Sequence, residues 1–336
     1  MPRESYRDVH VDRPLTNFSV AYFQDTNEFV GSRFFPAMPV NFASDEYDFY
    51  PGGYFNRIHD SKRAEEGVAN SIGYKVTKKN YTCGEDALRT FISDRKRANC
   101  DSQRRLDMEA TELVTRALLL AKEKQFVDAF LTPGVWTTEM VGVTGTPTAG
   151  QFLKWSDDAS DPVRDMGNLQ VEMIRVGKRK PNKMLMTLDV WNVLRNHPDI
   201  LERIKYTGSN NDPAKINMRA VAALFEVDEI EVMQTVVNTA LEGVEDADGF
   251  PPTTDVFMAA NTVLYAYVNR STGLMSPTAG VTFMHNRYIQ QGLNGGPVVR
   301  RYPGVEGKKG EYIEAEMSQD KRVVAPDLGA LLTQVI

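Results

Sequence analysis

Four histidines, two cysteines and one acidic run are the residues whose types lend themselves to chemistry in this 336-residue chain. His10, His59, His197 and His285 are scattered. His197 lies in Asn196-His197-Pro198-Asp199, a helix junction where capping or packing accounts for it. Cys83 and Cys100 have neither metal-ligand spacing nor the numbers for a disulfide framework, so a reducing cytoplasm is the default. As a nucleophile, Cys83 would need a histidine delivered by the fold. Asp246 and Asp248 have the oxygen chemistry of hard-cation ligands. With Glu242, Glu245 and Asp255 around them, they read as a solvated acidic loop. The phosphate loop GxxxxGK(S/T) and the patterns GxGxxG, GxSxG, HExxH and CxxC do not occur. The expectation is therefore no catalytic, cofactor or metal site, and no enzyme.

Charge argues in the same direction. The formal net charge is −6, whereas nucleic-acid binders draw affinity from a basic excess. The basic groups Lys78-Lys79, Arg95-Lys96-Arg97, Arg104-Arg105, Lys178-Arg179-Lys180 and Arg300-Arg301 are dispersed and read as solvated faces or inter-subunit ion pairs. Hydrophobic residues make up 42% and charged residues 25%, the balance of a soluble globular protein. No apolar run approaches the roughly 20 residues that cross a bilayer, and Met1-Pro2-Arg3-Glu4 opens no secretory signal.

The elements are α+β. Phe18, Tyr22, Phe23, Phe29, Phe34, Phe35 and Phe42 sit among polar residues without a period, and Pro36 and Pro39 block a helix. An extended arm lying on another surface uses aromatics in this way. Tyr47, Phe49, Ile72, Tyr74 and Val76 alternate with polar partners, predicting a long hairpin over 46–82. Its charged tip, Asp60 to Gly67, has nothing to bury. Leu106, Ala110, Leu113, Ala117 and Leu120, continued by Val127 and Leu131, give one stripe of a helix over 101–132, capped by Asp101 or Ser102 and ended by Pro133-Gly134. From Asp161 helices and strands alternate: a helix from Pro162 to Gly177, a buried strand at Met184-Leu185-Met186, a helical face of Val190, Trp191 and Leu194, and a capping box at Asp199 and Glu202. A last hairpin over 297–336 turns at Pro303–Gly310.

Several segments resemble tailed-bacteriophage major capsid proteins, in order. Phe34-Phe35-Pro36-Ala37-Met38-Pro39-Val40 followed by Tyr47-Asp48-Phe49-Tyr50 is similar to the passage from N-terminal arm to E-loop. Tyr81-Thr82-Cys83 precedes the long helix as the family's E-loop precedes its spine helix. Trp155-Ser156-Asp157 and Ser160-Asp161-Pro162 resemble the entry to the A-domain. The most specific match runs from Val190 to Tyr206, with Phe225 to Ile230 and Val237 to Ala240 following.

The resemblance implies the Hong Kong 97-like fold: an N-terminal arm at 1–45, an E-loop at 46–80, a P-domain at 81–154 and 297–336 built on the spine helix, and an A-domain at 155–296. It implies self-assembly through pentamers and hexamers into an icosahedral phage head around double-stranded DNA, without sequence-specific contact. A portal is implied too, and a scaffold as a separate protein because the arm begins near Met1; decoration proteins are left open and a membrane is not expected. The place of action is the virion capsid, assembled in host cytoplasm. Inter-subunit contacts are expected from Phe34 and Phe35 in the arm, from Lys62, Arg63, Glu65 and Glu66 at the hairpin tip, and from Lys308 and Lys309 in the terminal turn. The rivals are an encapsulin-like compartment shell, an α+β hydrolase with a dispersed site, and a DNA-binding protein.

Overall fold

Gln103–Phe130 forms one helix of 28 residues, about 42 Å long at 1.5 Å per residue. The computed structural model describes residues 29–336 except 52, 64, 66, 100–102, 208–217, 242, 246–251, 253, 272–275, 290–295 and 306. The expected caps Asp101 and Ser102, and the first 28 residues, lie outside the described residues. The helix's buried face overlaps the predicted stripe only in part. Ala110, Val114 and Leu118 pack on Ile92, Val299, Ile313, Ala315 and Met317. Leu113 is 62% exposed and Ala117 is exposed too. The buried surface includes Thr111, Lys122 and Glu123, whose polar groups find partners within the chain. Thr111 donates to the Asp107 carbonyl, the Lys122 carbonyl accepts from Lys321, and Glu123 accepts from the Gly31 amide. Satisfied polar groups can be buried, so an apolar stripe alone does not locate the core side.

Along the chain the strands are β1 (Ala37–Val40), β2 (Ser44–Phe49), β3 (Thr77–Thr82), β4 (Gly84–Ser93), β5 (Thr138–Val143), β6 (Gln151–Leu153), β7 (Lys183–Thr187) and β8 (Glu229–Met233). They continue as β9 (Val236–Asn238), β10 (Asp255–Phe257), β11 (Thr262–Ala266), β12 (Gly280–His285), β13 (Val298–Pro303), β14 (Gly310–Val323) and β15 (Gly329–Thr333). One sheet is organised by β14, which pairs with β13 and β12 on one side and with β4 on the other, while β1 adds to β12 in parallel. The long helix lies along this sheet through the contacts of Ala110, Val114 and Leu118.

A second sheet has the order β6-β5-β15-β11-β7-β8. Both faces are covered, so its central strands are apolar throughout, as such strands must be. Met184, Met186, Val263, Tyr265, Ala330 and Leu332 face a core with Met166, Leu169, Trp191 and Leu194 from the helices Pro162–Gly177 and Leu188–Leu194. Leu185, Leu264 and Leu331 face a core with Phe34, Phe35, Phe126, Phe130 and Trp136. Asp161 caps the first of these helices by accepting from the Arg164 amide at 2.9 Å.

The strands do not sort along the expected domain boundaries. β15, from the segment expected in the P-domain, is a central strand of the second sheet, and β12, from 155–296, pairs with β14. The expected arm is corrected in the part described: Phe34 and Phe35 are fully buried in this chain's own core and β1 is a sheet strand. They leave no apolar surface for a neighbour. The expected long hairpin is paired only at its base, from Ser44 opposite Thr82 to Phe49 opposite Thr77. Ile72, Tyr74 and Val76 belong to no strand and are exposed.

Candidate assembly interface

The segment expected to be the E-loop is fastened at its root and, among the described residues, exposed beyond it. Tyr81 stacks on Phe283 at 4.6 Å, Tyr47 meets the same ring at 5.5 Å, and the Lys79 ammonium lies 4.1 Å from the Phe49 ring centre. Lys79 also donates to the Val324 carbonyl at 3.2 Å. These contacts tie β2 and β3 to the β12 end of the first sheet. Farther out, Tyr50, Phe55 and Tyr74 form a small aromatic group with ring centres 5.6 to 6.4 Å apart. Ile58, Val68 and Ile72 are 103%, 95% and 70% exposed. The tip is closed by its own hydrogen bonds: the Lys62 amide donates to Asp60 at 3.0 Å, and Asn70 donates to the Asp60 carbonyl at 3.0 Å. Lys62, Arg63 and Glu65 are exposed, and Glu66 lies outside the described residues. Sequence reading found the charged tip and missed the apolar shoulders beside it. Their signal was the very alternation of Ile72, Tyr74 and Val76, read there as strand pairing.

The terminal turn does more within its own subunit than its composition suggests. Lys308 and Lys309 are exposed. Lys308 reaches the Tyr312 hydroxyl at 3.4 Å and lies 6.0 Å from the Phe91 ring centre. The Lys309 carbonyl accepts from the Asp94 amide at 3.2 Å.

The residues that could do chemistry are arranged otherwise. Ser160 and His197 are both buried, with Oγ 3.0 Å from Nε2, the geometry of a nucleophile and its base. However, His197 Nδ1 accepts from the Asp199 amide at 3.3 Å, which places the ring proton on Nε2. His197 thus donates to Ser160, and Ser160 donates to the Asp157 carbonyl at 2.8 Å. The histidine is a bracket between two turns, with no lone pair facing the serine. Cys83 is buried beneath Phe283, and burial, helped by Asp320, pushes its thiol up to about 11. A thiol held there is not a nucleophile at neutral pH.

A groove of about 450 Å³ runs between Ser32–Ala37 and β8. Its charges are matched to one another. Lys183 lies 3.0 Å from Glu229 and 3.4 Å from Glu231, Arg33 lies 3.6 Å from Glu231, and Arg270 lies 3.4 Å from Glu229. Among the described residues no group of three or more histidine, cysteine or acidic side chains could hold a metal ion. Glu242, Asp246 and Asp248 lie outside them. No described helix is long and apolar enough to cross a membrane.

Comparison with known proteins places this geometry. The chain is 25% identical over 274 residues to the major capsid protein of Burkholderia phage BcepMu, covering 78% of each. Its fold is similar to that of a phage-related protein from Bordetella bronchiseptica, with a TM-score of 0.69 and 19% identity over 97% of this chain and 98% of that one. It is also similar to the mature capsid subunit of bacteriophage PhiM1, with a TM-score of 0.54 and 12% identity over 92% of this chain and 87% of that one. No family model matches. The fold is the Hong Kong 97-like α+β fold. The curated relative and the solved capsid folds together support reading the chain as a phage major capsid protein.

Proposed function

We propose that copies of this chain close through pentamers and hexamers into an icosahedral head around double-stranded DNA, each copy gripping the next with its E-loop. The observation that carries the reading is the E-loop itself. Ile58, Val68 and Ile72 are exposed well beyond the root, and nothing among the described residues covers them. Isolated exposed apolar residues are ordinary; several gathered on one projecting loop mark an interaction surface. Lys62, Arg63 and Glu65 at its tip add charges of both signs for pairing with a neighbour.

The turn bearing Lys308 and Lys309 sits at a junction between capsomers. The DNA is enclosed without sequence-specific contact, in keeping with the net charge of −6. A separate scaffolding protein and a portal complete the head, which assembles in the host cytoplasm and persists as the virion shell. The subunit performs no catalysis; Ser160, His197 and Cys83 serve packing.

Electron microscopy of the expressed chain, with and without a candidate scaffolding protein, tests this. Closed icosahedral particles are expected. A chain that stays monomeric under every assembly condition sinks the reading, and closed shells that select protein cargo in place of DNA favour the compartment-shell rival.

A further inference from the structure

The first sheet ends in a strand whose outer side is open. Strand β4 pairs with β14 over ten residues, Gly84 to Ser93, and among the described residues no strand lies on its other side. The other edge strands of the two large sheets, β1, β6, β8 and β13, are three to six residues long. An open edge presents a row of unpaired amides and carbonyls, which proteins blunt by keeping the strand short or by placing a proline or a bulge in it. β4 is long, has no proline and pairs without a bulge. What it presents instead is charge of both signs. Its side chains alternate between faces. Asp86 lies on the face of the long helix, where it accepts from Gln125 at 2.9 Å. Glu85, Ala87 and Arg89 lie on the opposite face and are exposed. Arg89 stands opposite Glu314 in the ladder with β14, yet its guanidinium lies over the Tyr312 ring, 4.6 Å from the centre, and Glu85 meets the Tyr288 hydroxyl. Neither charge enters an ion pair among the described residues.

We propose that β4 of one copy pairs antiparallel with β4 of a second copy across a two-fold axis centred on Ala87, joining two sheets into one. The inference rests on the reading of the chain as a shell subunit and names one contact within that shell. Sidedness and charge both select this partner. A two-fold axis that sets two edge strands side by side and antiparallel stands perpendicular to the sheet, so the long helices of both copies stay on the same side of it. A closed shell, whose inside differs from its outside, requires that arrangement. Such a contact is isologous and needs only one patch, matched to itself. Facing residues then share a face, so the axis passes beside one residue of each strand. An axis at Glu85, Asp86 or Arg89 sets a like charge opposite itself, and one at Leu88 sets Glu85 against Phe91. An axis at Ala87 sets Glu85 of each copy opposite Arg89 of the other. Opposite charges facing across antiparallel strands stabilise the pair, and like charges weaken it. Asp86 faces Leu88 in this register and keeps its own partner, Gln125.

The test is cross-linking within assembled particles in a Cys100→Ser background, since facing side chains on antiparallel strands come close enough for a disulfide. Ala87→Cys alone should give covalent dimers on mild oxidation and nothing larger, because position 87 meets only position 87 of one other copy. Glu85→Cys combined with Arg89→Cys should also give dimers, and either single variant should give none. Particles that form normally with no dimer from Ala87→Cys overturn the proposal and leave the shell reading standing. Dimers from Leu88→Cys in place of Ala87→Cys overturn the register that carries it. Links between Phe18→Cys and Ala87→Cys in place of 87–87 dimers overturn it in favour of the N-terminal segment as the occupant. Absence of particles from the unmodified chain overturns the shell reading and this inference with it. In parallel, Glu85→Arg and Arg89→Glu should each cut the yield of closed particles by about tenfold, one decade of affinity at the contact. The two changes together re-create the opposite pairs and should restore the yield. A double variant no better than either single one would also overturn the proposal.

Discussion

The E-loop from 50 to 76 and the helix Gln103–Phe130 are stretches of similar length, both bearing apolar side chains, with opposite fates. On the helix, Val114, Leu118, Phe126 and Phe130 are buried, joined to β14 on one side and to the segment around Phe34 on the other. On the E-loop, Phe55, Ile58, Val68, Ile72 and Tyr74 stay exposed. The difference teaches that apolar patterning states only that a surface is to be covered. Which copy covers it depends on where the element is rooted. The helix lies on its own sheet, whereas among the described residues the E-loop is tied to its own body through β2 and β3.

The comparison breaks most readily at Phe126. Its ring meets Phe34, Phe35 and Phe130 with centres 6.3, 6.1 and 5.0 Å away. Phe126→Ala should cost about 3–5 kcal/mol of subunit stability, the usual range for a fully buried phenylalanine. Ile72→Asp on the E-loop should stay within about 0.5 kcal/mol. Urea unfolding of the unassembled subunit measures both, and equal losses would erase the distinction.

A smaller effect is expected at Gly31, where the N-terminal segment crosses the helix. A Cβ there would come within 2.8 Å of the Phe126 Cβ and 2.9 Å of a Glu123 carboxylate oxygen. Gly31→Ala should destabilise by about 1–3 kcal/mol, the cost of forcing atoms into a packed core. Stability equal to the parent in the same urea series would mean that this crossing is looser than its distances imply.

The Gly31 amide donates to both Glu123 oxygens, at 2.8 and 3.1 Å. Burial lifts the Glu123 carboxyl from 4.5 to about 7, against the opposing pull of the Gly31 amide, Lys122, Lys321 and Arg33. Burial likewise lowers Lys122 to about 8 and Lys321 to about 7. Between 4.5 and about 7 the folded chain keeps a proton on Glu123 that the unfolded chain has released. Through that window this group makes stability fall as pH rises. Glu123→Gln keeps an acceptor for Gly31 and removes the titration. Its Tm relative to the parent should therefore climb from pH 5 to pH 8. A constant difference across that range would show that Glu123 stays ionised throughout.

Much of the fold was legible. The helix expected over 101–132 is observed from Gln103 to Phe130, and the one expected from Pro162 to Gly177 has those bounds, with its Asp161 cap. Met184-Leu185-Met186 is the buried strand its uninterrupted apolar run implies. What failed was partnership. The helix stripe was read from its apolar spacing alone, whereas Lys122 and Glu123 are buried too, next to partners in Lys321 and Gly31 that lie far off in sequence. Phe34 and Phe35 looked like arm residues because no period marks a short turn held by a remote carboxylate. β15 pairs across the expected boundary, with β11 and β5, and that pairing is decided by two cores that no local pattern records. Of the candidate contacts, the charged tip was read from composition. The apolar shoulders were hidden because an alternating run looks the same whether its partner strand lies in the same chain or in another molecule.

The smallest effect on the subunit, and the sharpest form of the comparison, is expected at the E-loop tip. Replacing 60–66 with a short Gly-Ser turn removes the exposed side chains of Lys62, Arg63 and Glu65 and almost no buried apolar area, so little of the area-dependent stabilisation is lost. The hydrogen bonds removed join the tip to itself: the Lys62 amide to Asp60, Asn70 to the Asp60 carbonyl and Arg63 Nε to the Gly67 carbonyl. Circular dichroism and the urea midpoint of the subunit should be nearly unchanged. Assembly should not be. The tip joins the apolar shoulders at Ile58 and at Val68–Val76, and in the proposed shell its charges would meet a neighbour once per contact. An exposed ion pair contributes only about 0–1 kcal/mol, yet a closed shell repeats that contact at every subunit, so a small deficit per contact multiplies through the particle. Sedimentation of the variant with its scaffold should show subunits and small oligomers in place of closed shells. Normal particles would mean that the E-loop grips through its shoulders alone. An unfolded variant would mean that the loop belongs to the folding unit, and the contrast with the long helix would be lost.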